Sequence, residues 1–110
     1  MSIAHAVSGE PIDISPYDSR IGEQRSAALF KSEQLEVIRL VLPPGKSMPT
    51  HKVSGEITIQ CIEGELDVQV DGTSTRLLSG QLMFLLGSVP HSVTAVVHAS
   101  ALVTLVLCNA

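Results

Sequence analysis

The sequence predicts an all-β domain of nine to eleven short strands. Three observations lead there. The chain is rich in aliphatic residues but holds only two Phe, one Tyr and no Trp in 110 residues, so Val, Ile and Leu must fill its interior, as they do between packed strands. From residue 26 onward, turn signals recur every 8 to 12 residues, the spacing of a sandwich or barrel. No stretch carries a good 3.6-residue apolar stripe, and residues 23–31, the nearest to one, fit it poorly.

Each element follows from local chemistry. Residues 1–25 are polar, interrupted by Pro11 and Pro16, and aperiodic. They read as an irregular arm with one short strand around residues 12–14, either draped over the domain or exchanged with a neighbouring copy. The folded domain spans residues 26–110. Its first strand covers 26–30 and turns at Ser32-Glu33. The second covers 35–42 and ends at Pro43-Pro44-Gly45, which stops any ladder. Residues 56–62 follow, then a turn at Glu63-Gly64. Leu66, Val68 and Val70 alternate with Asp67 and Gln69, the period of a half-buried strand. Asp71-Gly72 marks a tight hairpin, because glycine tolerates the positive φ of primed turns. Residues 73–78 return and turn at Ser79-Gly80. The all-apolar run 82–86 suits a strand covered on both faces. A loop over 87–90 leads to His91, and residues 92–97 and 101–107 form a last hairpin around 98–100.

The formal charge is −4, and no Lys/Arg cluster exists to track a phosphate backbone, which argues against nucleic acid as a partner. No apolar run approaches the roughly 20 residues of a membrane helix, so no membrane partner is expected. The N-terminal stretch lacks the basic segment of an export signal, so a cytoplasmic location is expected. Two cysteines, Cys61 and Cys108, make no disulfide framework and read as free thiols, Cys61 as a small core hydrophobe.

Two segments carry more than a fold. The first is PPGKSMPTHKVSGEITIQCIEGEL, residues 43–66, and the second SGQLMFLLGSVPHSV, residues 79–93. Together they resemble the two motifs of the cupin superfamily, over roughly residues 26–107. Gly45, His51 and Gly64 fall on the first pattern; Gly80 and His91 fall on the second. Val53 stands at the second histidine position and Ile57 at the glutamate, with Glu56 one residue short of it. In the second motif, Leu86, Ser88 and Ala95 stand for the expected Pro, Gly and Asn. The resemblance implies an antiparallel double-stranded jelly-roll β-barrel, with His51 and His91 in one interior pocket.

In metal-bearing cupins, histidines and a carboxylate converge there on a transition metal. This chain keeps two of those groups, so His51 and His91 are the candidate ligands for a divalent ion such as Fe, Mn, Ni or Zn. Two imidazoles are fewer than the three protein ligands of catalytic zinc sites. Glu56 should face away by strand parity unless a bulge turns it, and His98 should sit in a turn on the other face. Parity from the two histidines gives a pocket wall of Val53, Ile57, Ile59, Cys61, Met83, Leu85 and Val93. An apolar barrel with few polar groups suits a small organic ligand. The alternatives are a metal-dependent enzyme of dioxygenase or isomerase type on the two-histidine site, and a structural module acting through oligomer contacts. Small cupins imply a homodimer, joined by an apolar sheet face or an exchanged arm.

Overall fold

The structure, a computed structural model, describes residues 6–51 and 53–107, with side chains at all of these except 49–51. Seven strands are present among the described residues: β1 (Ala27–Lys31), β2 (Leu35–Leu42), β3 (Ser47–His51), β4 (Ile57–Val70), β5 (Thr73–Leu78), β6 (Leu82–Leu85) and β7 (His91–Val106). That is fewer than the nine to eleven expected, because β4 and β7 each absorb two predicted strands.

These two strands organise the barrel. They pair antiparallel from Ile57↔Leu105 to Val70↔His91, with register shifts around Glu63 and Glu65. The first half of β4 and the second half of β7 belong to one layer, ordered β1-β2-β7-β4-β6. The other halves belong to a second layer, ordered β3-β7-β4-β5. The expected turns at Glu63-Gly64 and 98–100 are therefore corners, where both strands pass from one layer to the other. Gly64 makes the corner: its φ is +80°, and a Cβ there would lie 2.2 Å from the His98 carbonyl oxygen and 2.7 Å from the Ala99 Cα. A glycine with positive φ serves a bulge as readily as a turn. His98 accordingly lies within β7 and is half-buried.

The true hairpin turn is Asp71-Gly72, with φ of +53° and +82°, the two positive values a type I′ turn requires. The arm differs from expectation: no strand forms around 12–14, and a 3₁₀ helix occupies Asp18–Glu23. Strand β3 was not foreseen.

The core lies between the layers. Leu40, Leu42, Ile57, Ile59, Cys61, Leu66, Val68, Val93 and Ala101 are among its buried members. In β6 only alternate residues face it. Leu85 is buried and Met83 packs on the core, while Leu82 and Phe84 face outward at 64% and 56% exposure. The run is covered on one face, not both.

Candidate functional site

His91 opens β7, and the loop before it is fixed by close backbone contact. The Ser88 N–H donates to the Val53 carbonyl at 2.7 Å. Gly87 approaches so closely that a Cβ would lie 2.2 Å from the Ser54 carbonyl oxygen. This contact sets where the chain enters β7. His91 itself is buried at 4% exposure, and its Nδ1 lies 3.1 Å from the Val89 carbonyl oxygen. A carbonyl can only accept, so Nδ1 carries a proton and donates.

The imidazole borders an interior cavity of about 40 Å³. The rest of the wall is Ile38, Leu40, Met48, Ile57, Ile59, Val93, Val103 and Leu105. Of the residues expected there, Ile57, Ile59 and Val93 border the cavity with His91. Cys61 and Leu85 are buried in the core elsewhere, and Met83 packs against it. Val53 packs against the core too, but borders a wide groove at the barrel rim, shared with Glu36, Ser54 and Leu105. Leu105 belongs to both walls. Sequence parity missed Ile38, Leu40, Met48, Val103 and Leu105. They come from β2, β3 and the far half of β7, and strand parity carries no information across layers.

His51 pairs with His91 in the β3–β7 ladder. Its side chain, and Lys52, lie outside the described residues.

A cupin domain model matches residues 38–108. The chain belongs to the cupin family. The fold has many solved counterparts. One is a conserved protein of unknown function from Streptococcus pyogenes, 21% identical, with a TM-score of 0.77 over 100% of this chain and 98% of that one. Another is a cupin superfamily protein from Desulfitobacterium hafniense, 15% identical, with a TM-score of 0.77 over 98% and 100%. An RmlC-like cupin from Desulfovibrio desulfuricans is 26% identical, with a TM-score of 0.70 over 93% and 97%. No curated protein is similar enough in sequence to count as a relative.

As a cupin, this barrel has a depleted donor set. Ile57 occupies the carboxylate position and is buried in the core, and Glu56 is exposed. Among the described residues, no three His, Cys, Asp or Glu side chains group closely enough to hold an ion. These residues do not fit a three-ligand metal centre. Cys61 offers little as a soft ligand. Burial pushes its thiol pKa up, the Glu63 carbonyl it donates to pulls it back, and the Glu63 and Glu65 carboxylates raise it further.

The barrel carries a second polar cluster, on the outer side of β2, that the sequence did not announce. Arg39 is 3% exposed; its guanidinium donates to the Ser15 carbonyl at 2.9 Å and to Ser100 Oγ at 3.1 Å, and lies 4.2 Å from the Tyr17 ring centroid. The Glu63 carboxylate stands 3.6 Å away. It accepts from Ser100 Oγ at 2.5 Å and from the Tyr17 and Asp18 N–H groups at 2.9 and 3.0 Å. Burial pushes the Glu63 pKa up, but these three donors and Arg39 outweigh it and hold the carboxyl below its ordinary value. The cluster ties the N-terminal arm to the corner of β4 and β7.

Proposed function

We propose that this cupin is a binding module for a small, largely apolar organic molecule, held in the barrel beside His91. The observation that supports this is the wall: eight aliphatic or thioether side chains around one buried imidazole. A few polar groups in an apolar lining is the common composition of a small-molecule site. The cavity is far below the roughly 300 Å³ of a drug-sized site, so the ligand is a few atoms across or the wall yields to it. Ile38 and Met48 are the half-buried members of that wall, and the yielding falls to them. The rim groove provides the approach, past Val53 and Leu105.

A fragment library screened by thermal shift and by amide chemical-shift mapping tests the reading. Binders should perturb Ile59, Val93 and Val103 amides and raise the melting temperature, and His91→Leu should abolish polar binders while sparing apolar ones. A library without a single binder mapping to the interior overturns it. A second reading, metal-dependent catalysis, has one observation in its favour, the His51↔His91 pairing. Elemental analysis of purified protein decides it: one ion per chain, lost in both His51→Ala and His91→Ala, supports a metal enzyme, and a metal-free chain removes it.

A further inference from the structure

A second opening lies away from the barrel interior, between the N-terminal arm and the edge strand β1. The arm makes a turn there. The Glu10 N–H donates to the Val7 carbonyl at 3.0 Å, and Gly9, with φ of +88°, supplies the positive angle that the third position of a type II turn needs. The Ala6 N–H holds this turn to β1 by donating to the carbonyl of Leu29, at the bulge of that strand. Turn and strand enclose a cleft of about 480 Å³. It shares no lining residue with the cavity beside His91.

We infer that this cleft is a binding site for a free amino acid with an apolar side chain. Three observations choose that ligand. The first is the lining, which is chiefly apolar and comes from Ala6, Val7, Ile12 and Phe30. Val7 and Ile12 are 59% and 39% exposed, so this surface faces the cleft and water and is not packed into the core. The second is the charge. Among the described residues, the cleft is bordered by one cation and one anion, Lys31 and Glu10. Both are exposed, and neither side chain takes part in an ion pair among the described residues. The third is size, which falls within the roughly 300–1,000 Å³ of small-molecule sites.

An amino acid is a zwitterion at neutral pH, and its two charges answer the two on the cleft. Its carboxylate meets the Lys31 ammonium, its ammonium meets the Glu10 carboxylate, and its side chain lies against Val7, Ile12 and Phe30. A simple carboxylate would face Glu10 without a cation to offer it, and a simple amine would face Lys31 without an anion. An aromatic side chain gains further from the Phe30 ring, since aromatic pairs attract beyond the area they bury. Lys31 and Glu10 are exposed, so each contributes the modest affinity of a surface ion pair, about two- to fivefold. The site goes beyond the interior one and does not depend on it.

Amide chemical-shift titration of the full chain with L-phenylalanine, 3-phenylpropionate and phenethylamine tests the inference. The three share one apolar body, and each analogue lacks one of the two charged groups. Phenylalanine should shift the Val7, Ile12 and Phe30 amides saturably and bind about two- to fivefold more tightly than either analogue. Lys31→Ala should erase its advantage over phenethylamine, and Glu10→Gln its advantage over 3-phenylpropionate. Val7→Ser, at an exposed position, should weaken all three alike. If a variant loses its folded circular dichroism spectrum, the wild-type ranking of the three probes carries the test. No saturable shift at these amides, a wild type that does not prefer phenylalanine, or preferences that survive in the folded variants overturns the inference. Shifts at Ile59, Val93 and Val103 without shifts at the arm also overturn it while supporting the interior site, so the two proposals fail separately.

Discussion

Replacing Glu63 by alanine should cost about 3 kcal/mol. The side chain accepts three hydrogen bonds, from Ser100, Tyr17 and Asp18. Each is worth about 1 kcal/mol net. Breaking a buried ion pair outright costs about 3–5 kcal/mol, because a charge is left uncompensated. Here Arg39 keeps the Ser15 carbonyl, Ser100 Oγ and the Tyr17 ring. The N–H groups of the arm can also turn to water, since Asp18 is exposed. The hydrogen-bond sum therefore governs, and the loss stays at the lower end. In a domain of this size about 3 kcal/mol lowers Tm by about 12–24 °C. Glu63→Gln keeps part of the bonding and should cost about 1–2 kcal/mol.

The pH profile separates charge from shape. The Glu63 carboxyl titrates below its unfolded value. Its contribution is therefore complete above an unfolded pKa of about 4.3, and fades as pH falls through the lower folded value. Thermal unfolding by circular dichroism from neutral to acid pH should show wild type losing stability in that window, and Glu63→Gln losing less. Trypsin cleavage at the exposed Arg20 and Arg25 should quicken in the alanine variant as the arm detaches. A loss below about 1 kcal/mol for the alanine variant, or identical acid profiles for wild type and glutamine, would refute the reasoning.

Two glycines of positive φ should behave differently when changed to alanine. Gly72 has open space around it, so only the strained backbone counts, about 1–2 kcal/mol. Gly64→Ala drives a methyl into the backbone of residues 98–99 and should cost more than twice that, or prevent folding; denaturant titration compares the two. In a Cys108→Ser background, Cys61 should resist a thiol reagent in the native state and react only as the chain unfolds, because the thiol is fully buried and its pKa raised. Ile59→Ala should cost about 2–5 kcal/mol and enlarge the cavity, so that benzene raises the melting temperature of the variant more than that of wild type.

Where local chemistry decides conformation, the sequence was readable. Residues 35–42 stop at two prolines, and Asp71-Gly72 makes the hairpin it advertises. The corner at Gly64 was not readable, because the same residue suits a turn or a bulge, and only the approach of Ala99 on another strand selects the bulge. β3 was concealed by Pro49, which a central strand rejects; β3 pairs with β7 alone and tolerates it as an edge. Arg39 is a lone charge among the apolar residues of β2, and nothing in its neighbours tells that the arm will bury it. The cavity was half legible. Parity reached Ile57, Ile59 and Val93, on the same strands as the motifs, and stopped where the opposite layer begins.

The long partnership of β4 with β7 also shapes how the chain must fold. Val70 and His91 are 21 positions apart, while Ile57 and Leu105 are 48 apart. Both layers share these two strands, so neither can form before they meet or survive their parting. Closure is cheapest at the end with the shorter loop. Pairing from there has to cross the Gly64 corner before the second layer exists. Most of the topology is thus concentrated in one non-local zipper, and folding falls in the slow range of β-rich domains, milliseconds to seconds. A substitution at the corner acts on that rate as well as on the finished barrel.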